Sequence, residues 1–459
     1  MRFLFTTIQF LESVGWGRVG DELAARGHEV AHVAVSRRSA EALRDAGTDA
    51  FVLPDRVRTL GDIDVTAEAK RIEAQYPIAS LRSVYLSDPV SRGRDEAWLV
   101  DRTVRHFLAL EQVFDEVKPD VLVPEVGSET MRTAAHLIAL DRRVTTLFVF
   151  LTMFPRPLRL YIDTPHAPLV DPEEVRPLEA AERTEIEAFI RSYISRDRPT
   201  LPHRRATITP AKLRDFARHV AVRATAERDN EYLKPSRFVT NLAKQRARAR
   251  LSSRLHEPVP DRPFVYFPLH VTDDFKVKRV IPHCVDQAYI VEMVADMLPQ
   301  GLDLVLKEHP VAIGRNPVGF LRRLTRREHV HLVDPHTSSH ELIRRSRAVV
   351  VISSTVGLEA LLHGQPVLTM GQPFYSRYGV TVDVDSFREL PEAIARVLAF
   401  EPDRERTLQV LHAMMRSTLP GKPAGVDPSP ENAAALAASI ELRAKQARAG
   451  VRQPPLVSA

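Results

Sequence analysis

The stretch "VVVISSTVGLEALLHGQPVLTMG", Val349–Gly371, decides how this chain is read. Four apolar β-branched residues run up to Ser353, the pattern of a strand buried on both faces. Ser353, Ser354 and Thr355 can open a helix, Leu358, Leu361 and Leu362 claim its core face, and Gly364 closes it. "PVLTMG" then begins another strand. A strand, a helix and a strand in so few residues make the repeating unit of a parallel sheet covered by helices.

The same alternation extends on either side. "FVYFPLH", "LDLVLKEHP" and "VHLVDP" read as strands, with "VDQAYIVEMVADML" and "SSHELIRRS" as helices between them. The first third repeats the scheme, with "RFLFTTI", "HEVAHVAVS", "DAFVLP", "KPDVLVPEVGSE" and "VTTLFVFLT" as strands. From about Asp171 to His256 strand candidates vanish and the chain is charged and helical. The expected architecture is α/β: two doubly wound Rossmann-like domains joined by a helical segment. The expected bounds are 1–165, a helical basic connector over 166–257, a second α/β domain over 258–402, and C-terminal helices with a loose Ala/Pro-rich tail over 403–459.

A chain of 459 residues can bury two or three cores. Its one cysteine, Cys284, excludes an intramolecular disulfide framework and a four-cysteine zinc site, and fits a reducing compartment. The opening "MRFLFTTIQFLESVG" has polar residues where a signal peptide is apolar, and no run approaches the ~18 apolar residues of a membrane span. The net charge of +5 is concentrated locally. Between Ser236 and His256 there is no acid, while Arg237, Lys244, Arg246, Arg248, Arg250 and Arg254 are basic. A solvated helix face accounts for this, and a patch over 237–254 that meets anionic lipid head groups is the sharper alternative. Aromatic residues are not interleaved with these cations, which argues against nucleic acid. The expected location is the cytoplasm, peripheral at the inner face of the membrane.

"GWGRVG", Gly15–Gly20, has the spacing of a dinucleotide fingerprint. That motif needs its first glycine directly after a strand and an acid about 20 residues further on. Here "QFLESV" intervenes, and the second strand ends in "AVSRR". Ser36, Arg37 and Arg38 keep an NADP-dependent oxidoreductase as an alternative. Close packing of a loop and helix start is the preferred account, with Gly15 and Gly17 as a possible ligand loop.

In open parallel sheets ligands bind beyond the carboxyl ends of the strands. Four loops of the second block lie there: "LHVTDDFKVKR", "KEHP", "SST" and "GQPFYSRYG". Ser353, Ser354 and Thr355 offer hydroxyls and free N–H groups at a positive helix end, which suits a phosphate. Glu359, one turn on, suits ribose hydroxyls, while Lys307 and His309 suit phosphate oxygens. Gln372 offers an amide, Phe374 and Tyr375 stacking, and Arg377 charge. Lys276, Lys278 and Arg279 are further phosphate candidates. Two D-x-D strings, Asp62–Asp64 and Asp383–Asp385, are taken as surface, and no metal is expected.

"LKEHP", "SSTVGLEALLHGQPVLTMG" and "GQPFYSRYGVT" resemble the bacterial capsular polysaccharide biosynthesis glycosyltransferases. In the β-Kdo transferases of that group an HP and a QP motif mark the donor site, corresponding here to His309-Pro310 and Gln372-Pro373. This chain has "KEHPV" where that branch has a KPHPD pattern. The resemblance covers about Phe264 to Thr381. It implies a GT-B fold with the two domains facing a cleft, a CMP-Kdo-like or UDP/GDP-sugar donor on the second domain, and a polysaccharide or lipid-linked acceptor on the first. It implies no cofactor. A carboxylate of the first domain would serve as base or nucleophile. Glu125 and Glu129, following the strand in "VLVPEVGSE", are the candidates, with Asp163 in reserve. A sugar-nucleotide epimerase of the same fold and a non-catalytic scaffold are the remaining alternatives.

Overall fold

A computed structural model describes residues 1–195, 210–272 and 274–454. It divides into two compact units, each discontinuous in sequence. The first comprises the described residues of Met1–Pro165, Thr209–Val239 and Thr418–Gln453. The second comprises those of His166–Ile208 and Thr240–Ser417, with Pro454. The helical stretch expected as a connector is therefore shared. Its helix Ala180–Ile194 goes with the second unit, and helix Pro210–Ala224 and the chain onward to Val239 go with the first. Residues 196–209 of that stretch and 455–459 of the tail lie outside the described residues.

The first unit carries strands β1 (Arg2–Thr7), β2 (Glu29–Ala34), β3 (Asp49–Val52), β4 (Val121–Val123), β5 (Thr145–Leu151) and β6 (Leu158–Ile162). They lie in the order β3-β2-β1-β4-β5-β6. All neighbours are parallel except β5 and β6. The link between those two, residues 152–157, is too short for the crossover of about a dozen residues that a parallel pair requires, so β6 turns back. Asp163 ends β6 with φ +61° and accepts the Thr146 N–H at 2.8 Å, which makes it a strand-end clamp.

The glycine string is not a loop. Gly15, Gly17 and Gly20 are buried inside helix Phe10–Ala25. A Cβ on Gly15 would lie 2.5 Å from the Ala424 carbonyl oxygen, and one on Gly20 would lie 2.8 Å from Thr48. Gly17 faces Ala46 at 3.3 Å. The expected ligand role for Gly15 and Gly17 is thus replaced by helix packing. The helix start itself is filled by a carboxylate, because Glu12 accepts the N–H groups of Ile8 and Gln9, both at 3.1 Å. A pyrophosphate at that position would find these N–H groups already taken by a carboxyl, where a dinucleotide enzyme presents them free. The basic pair after β2 is also engaged. Arg37 bonds Asp55, and Arg38 lies over the Phe10 ring and near Glu227.

The Ala-rich tail is ordered. Helix Pro430–Arg448 buries Leu436, Ala437, Ile440 and Ala444 against Phe3, Phe5 and Trp16 of the first sheet's core. Its small residues, like Gly15, allow close approach, so the composition that suggested looseness is a packing surface.

The second unit carries β7 (Phe264–Pro268), β8 (Asp303–Lys307), β9 (Val330–Val333), β10 (Ala348–Val351), β11 (Val367–Thr369) and β12 (Val382–Asp383). The order is β12-β11-β10-β7-β8-β9 and every pair is parallel. β7, β8 and β10 are buried along their whole length, as strands covered on both faces must be. Counted in chain order within each unit, the two sheets share one strand order, 3-2-1-4-5-6, the doubly wound arrangement of a Rossmann-like domain. The chain therefore has the two Rossmann-like units that a GT-B enzyme requires.

Candidate functional site

In each sheet the strand order reverses between the first and fourth strands, and the crevice beyond their carboxyl ends is where a ligand fits. In the second unit these strands are β7 and β10. His270 lies just beyond β7, and its Nε2 accepts the Ser353 N–H at 3.2 Å. Gln287 fixes the His270 backbone, accepting its N–H at 2.8 Å. Burial holds the His270 imidazole down at about 4, with Lys276 and His309 acting in the same direction and Asp274 against them. A neutral ring is what accepting from Ser353 demands. His270 was not singled out by sequence reasoning. The available signal was its position as the first titratable residue after an entirely buried central strand.

Ser354 caps the eight-residue helix Thr355–Leu362, accepting the Val356 N–H at 3.2 Å. The Ser353 Oγ is buried without a partner among the described residues. Thr355 is exposed on the first turn. His309, just beyond β8, accepts the Val311 N–H on Nδ1 at 3.1 Å, which leaves its proton on Nε2. Burial and the Lys307 charge lower its pKa. Lys307 donates to Thr337 O at 2.8 Å and Ser339 Oγ at 2.6 Å, leaving one of its three protons, and burial lowers it to about 8. Glu359 is raised by burial, receives the Tyr193 OH at 3.1 Å and lies within the field of Lys307. Ser353 is thus joined to His270 by a hydrogen bond, and Lys307 acts through its charge on both His309 and Glu359.

The "GQPFYSRYG" loop is placed differently. Tyr375 is fully buried, and its hydroxyl donates to the Ser354 carbonyl. A Cβ on Gly357 would lie 2.1 Å from that hydroxyl, so the Tyr375 ring packs on the helix and offers no stacking face. Gln372 donates to Asp385 at 3.0 Å, and Arg377 pairs with the same carboxylate. Asp383 accepts Thr369 Oγ1 at 2.7 Å, Thr381 Oγ1 at 2.8 Å and the Arg377 N–H at 2.9 Å. The second D-x-D string, expected to be free surface, is therefore the clamp of this loop. In the first string, Asp64 caps helix Val65–Gln75. Arg279 is lowered to about 10 by burial alone.

In the first unit the corresponding strands are β1 and β4. Glu125, two residues beyond β4, receives the Trp16 Nε1–H at 2.7 Å. Burial pushes its carboxyl up to about 8, reinforced by the Glu12 charge and a hydrogen bond to Glu12, and opposed by Arg132. Arg132 bonds Glu12 and also Glu129 at 3.2 Å. Glu129 is therefore an ion-pair partner at the start of helix Thr130–Asp141, while Glu125 is a buried carboxyl whose pKa is raised. Gly127 makes room for this, since a Cβ there would lie 1.9 Å from Glu129 Oε2.

Residues 195–417 match the family described as capsule polysaccharide biosynthesis protein. That region covers the second unit's sheet and all of its candidate site. The protein FixF of Sinorhizobium fredii is 33% identical over 165 residues, 35% of this chain and 40% of its own length. The capsule polysaccharide modification protein LipA of Neisseria meningitidis is 33% identical over 81 residues, 18% of this chain and 12% of LipA. The chain therefore spans well under half of these relatives. A solved β-Kdo 2,7 transferase, KpsC of Thermosulfurimonas dismutans, overlaps 69% of this chain and 87% of its own at 15% identity and a TM-score of 0.31. Among the described residues no helix is long and apolar enough to cross a membrane.

Proposed function

We propose that this protein is a glycosyltransferase of surface-polysaccharide assembly, moving a sugar from a nucleotide-sugar donor to a polysaccharide or glycolipid acceptor. The observation that carries this is the anion-shaped edge of the second sheet. There the N-terminus of helix Thr355–Leu362, the unpartnered Ser353 Oγ, the outward Nε2–H of His309 and the third proton of Lys307 offer donors to a phosphate. The match of this region to the capsule family supports the same reading. In it, these groups hold the donor phosphate and stabilise the charge that grows on it as the glycosidic bond breaks. Glu359, steadied by Tyr193, faces the ribose hydroxyls. Glu125 takes the proton from the acceptor hydroxyl as that oxygen attacks the anomeric carbon. The exposed cations Lys244, Arg246, Arg250 and Arg254, on and just beyond helix Pro235–Ser252, support contact with an anionic membrane surface carrying the acceptor.

Calorimetric titration with CMP, UDP, GDP and NADPH tests the donor side. One pyrimidine or guanosine nucleotide is expected to bind, with at least tenfold loss in His309→Ala, about 1.4 kcal/mol. CMP binding directs the assay to CMP-Kdo, and UDP or GDP binding directs it to those sugars. NADPH binding alone would overturn the reading. Incubation of the matching donor without acceptor separates the alternatives, because an epimerase converts the donor unaided whereas a transferase waits for acceptor.

A further inference from the structure

We propose that Glu12 and Glu125 form a carboxyl pair sharing a single proton, in which Glu12 is the positioning residue that keeps this proton on Glu125 in the resting protein, so that Glu125 must release it to water before it can act as a base. The inference deepens the role given to Glu125 above, and rests on it only for the consequence in catalysis.

Glu12 is held rigidly. One oxygen accepts the Ile8 and Gln9 N–H groups at 3.1 Å each, and the other accepts from Arg132. Those three donors hold both Glu12 oxygens in place as acceptors. Glu125 has the opposite surroundings. Its one strong donor is the Trp16 indole at 2.7 Å, and its remaining hydrogen bond runs to Glu12. Two carboxylates in contact cannot both stay ionised when both are withdrawn from water, so the proton goes to the less solvated partner. Glu125 then donates its O–H to Glu12. The groups facing Glu125 are Glu12 and Trp16 from helix Phe10–Ala25, Arg132 from helix Thr130–Asp141, and Gly425, where a Cβ would sit 3.6 Å from Glu125 Oε1. Glu129 reaches the pair only through Arg132. Arg132 pulls the Glu125 pKa down while Glu12 pulls it up, so neutralising either should move it in opposite directions.

Trp16 makes the pair observable without any activity. The chain has two tryptophans, and Trp98→Phe leaves Trp16 as the only indole. Its Nε1–H resonance should titrate with a midpoint near the Glu125 value of about 8, and Glu125→Gln should abolish that titration. Glu12→Gln should lower the midpoint by at least ~1 pH unit, a tenfold change in dissociation constant. Arg132→Gln should raise it, so either variant decides the matter if the other does not fold. A midpoint in the ordinary carboxylate range, or one that Glu12→Gln leaves in place, overturns the proposal. Transfer assays separate the two claims. A transfer pH profile that shifts with the indole midpoint supports both. A shifted indole midpoint with an unshifted profile keeps the pair and removes Glu125 as the base.

Discussion

The two sheets share one strand order, yet their carboxyl edges carry opposite chemistry. Beyond β1 and β4 the groups are carboxyls, Glu12, Glu125 and Glu129, around one buried Arg132. Beyond β7 and β10 they are neutral imidazoles, hydroxyls, helix N–H groups and Lys307. The first edge fills its helix start with its own carboxylate, Glu12, whereas the second caps with a neutral serine and leaves the Ser353 hydroxyl unpartnered. A doubly wound sheet therefore specifies where a ligand can sit, and a few side chains at the switch point set the chemical character of each edge.

The sharpest way to break this contrast is Glu125→Gln. If the first edge does the proton transfer, the transfer rate falls by ~10²–10⁴-fold while nucleotide affinity stays within error. A matching loss of nucleotide affinity would erase the division of labour. The same assay carries a sign. A base must be ionised, so in the wild type the rate rises as pH increases through about 8, and that rise is absent from the residual activity of the variant.

Gly15→Val tests the packing account of the glycine string. Its Cβ would meet the Ala424 carbonyl at 2.5 Å, backbone that cannot swing away. A loss of about 3 kcal/mol is expected in urea unfolding. If stability holds and a nucleotide no longer binds, the glycine face of this helix meets ligand and the packing account fails.

The smallest effect belongs to Ser353→Ala. Removing an unpartnered hydroxyl leaves the free protein unharmed, so its stability should change by under ~0.5 kcal/mol. Nucleotide affinity should drop about fivefold, ~1 kcal/mol, as expected for one lost hydrogen bond. An unchanged affinity would remove Ser353 from the donor site.

Much of this was legible in the chain itself. Runs such as "FVYFP" and "AVVV" admit one environment, a strand buried on both faces, so both sheets and their loop-bearing edges follow from periodicity. The hydroxyl cluster at Ser353–Thr355 and the carboxyl at Glu125 were visible because each closely follows such a run. Where periodicity was silent, local composition misled. Tyr375 looked like a stacking surface because it lies in a polar loop, but only the chain's return past Gly357 shows that its ring is buried. The Ala-rich segment 430–448 has weak amphipathic pattern, and its role depends on meeting Gly15 and the first sheet's core.

The sequence by itself determined the α/β class, the two sheets and the edges at which ligands can bind, because these depend on neighbours within a few residues. Only the tertiary structure decided which edge gathers carboxyls and which gathers imidazoles and hydroxyls. It set Glu12 beside Glu125, residues 113 apart and joined through β1 and β4, and His270 beside Ser353, joined through β7 and β10. The raised Glu125 and the lowered His270 follow from burial and from charges contributed by distant parts of the chain, which no local pattern contains.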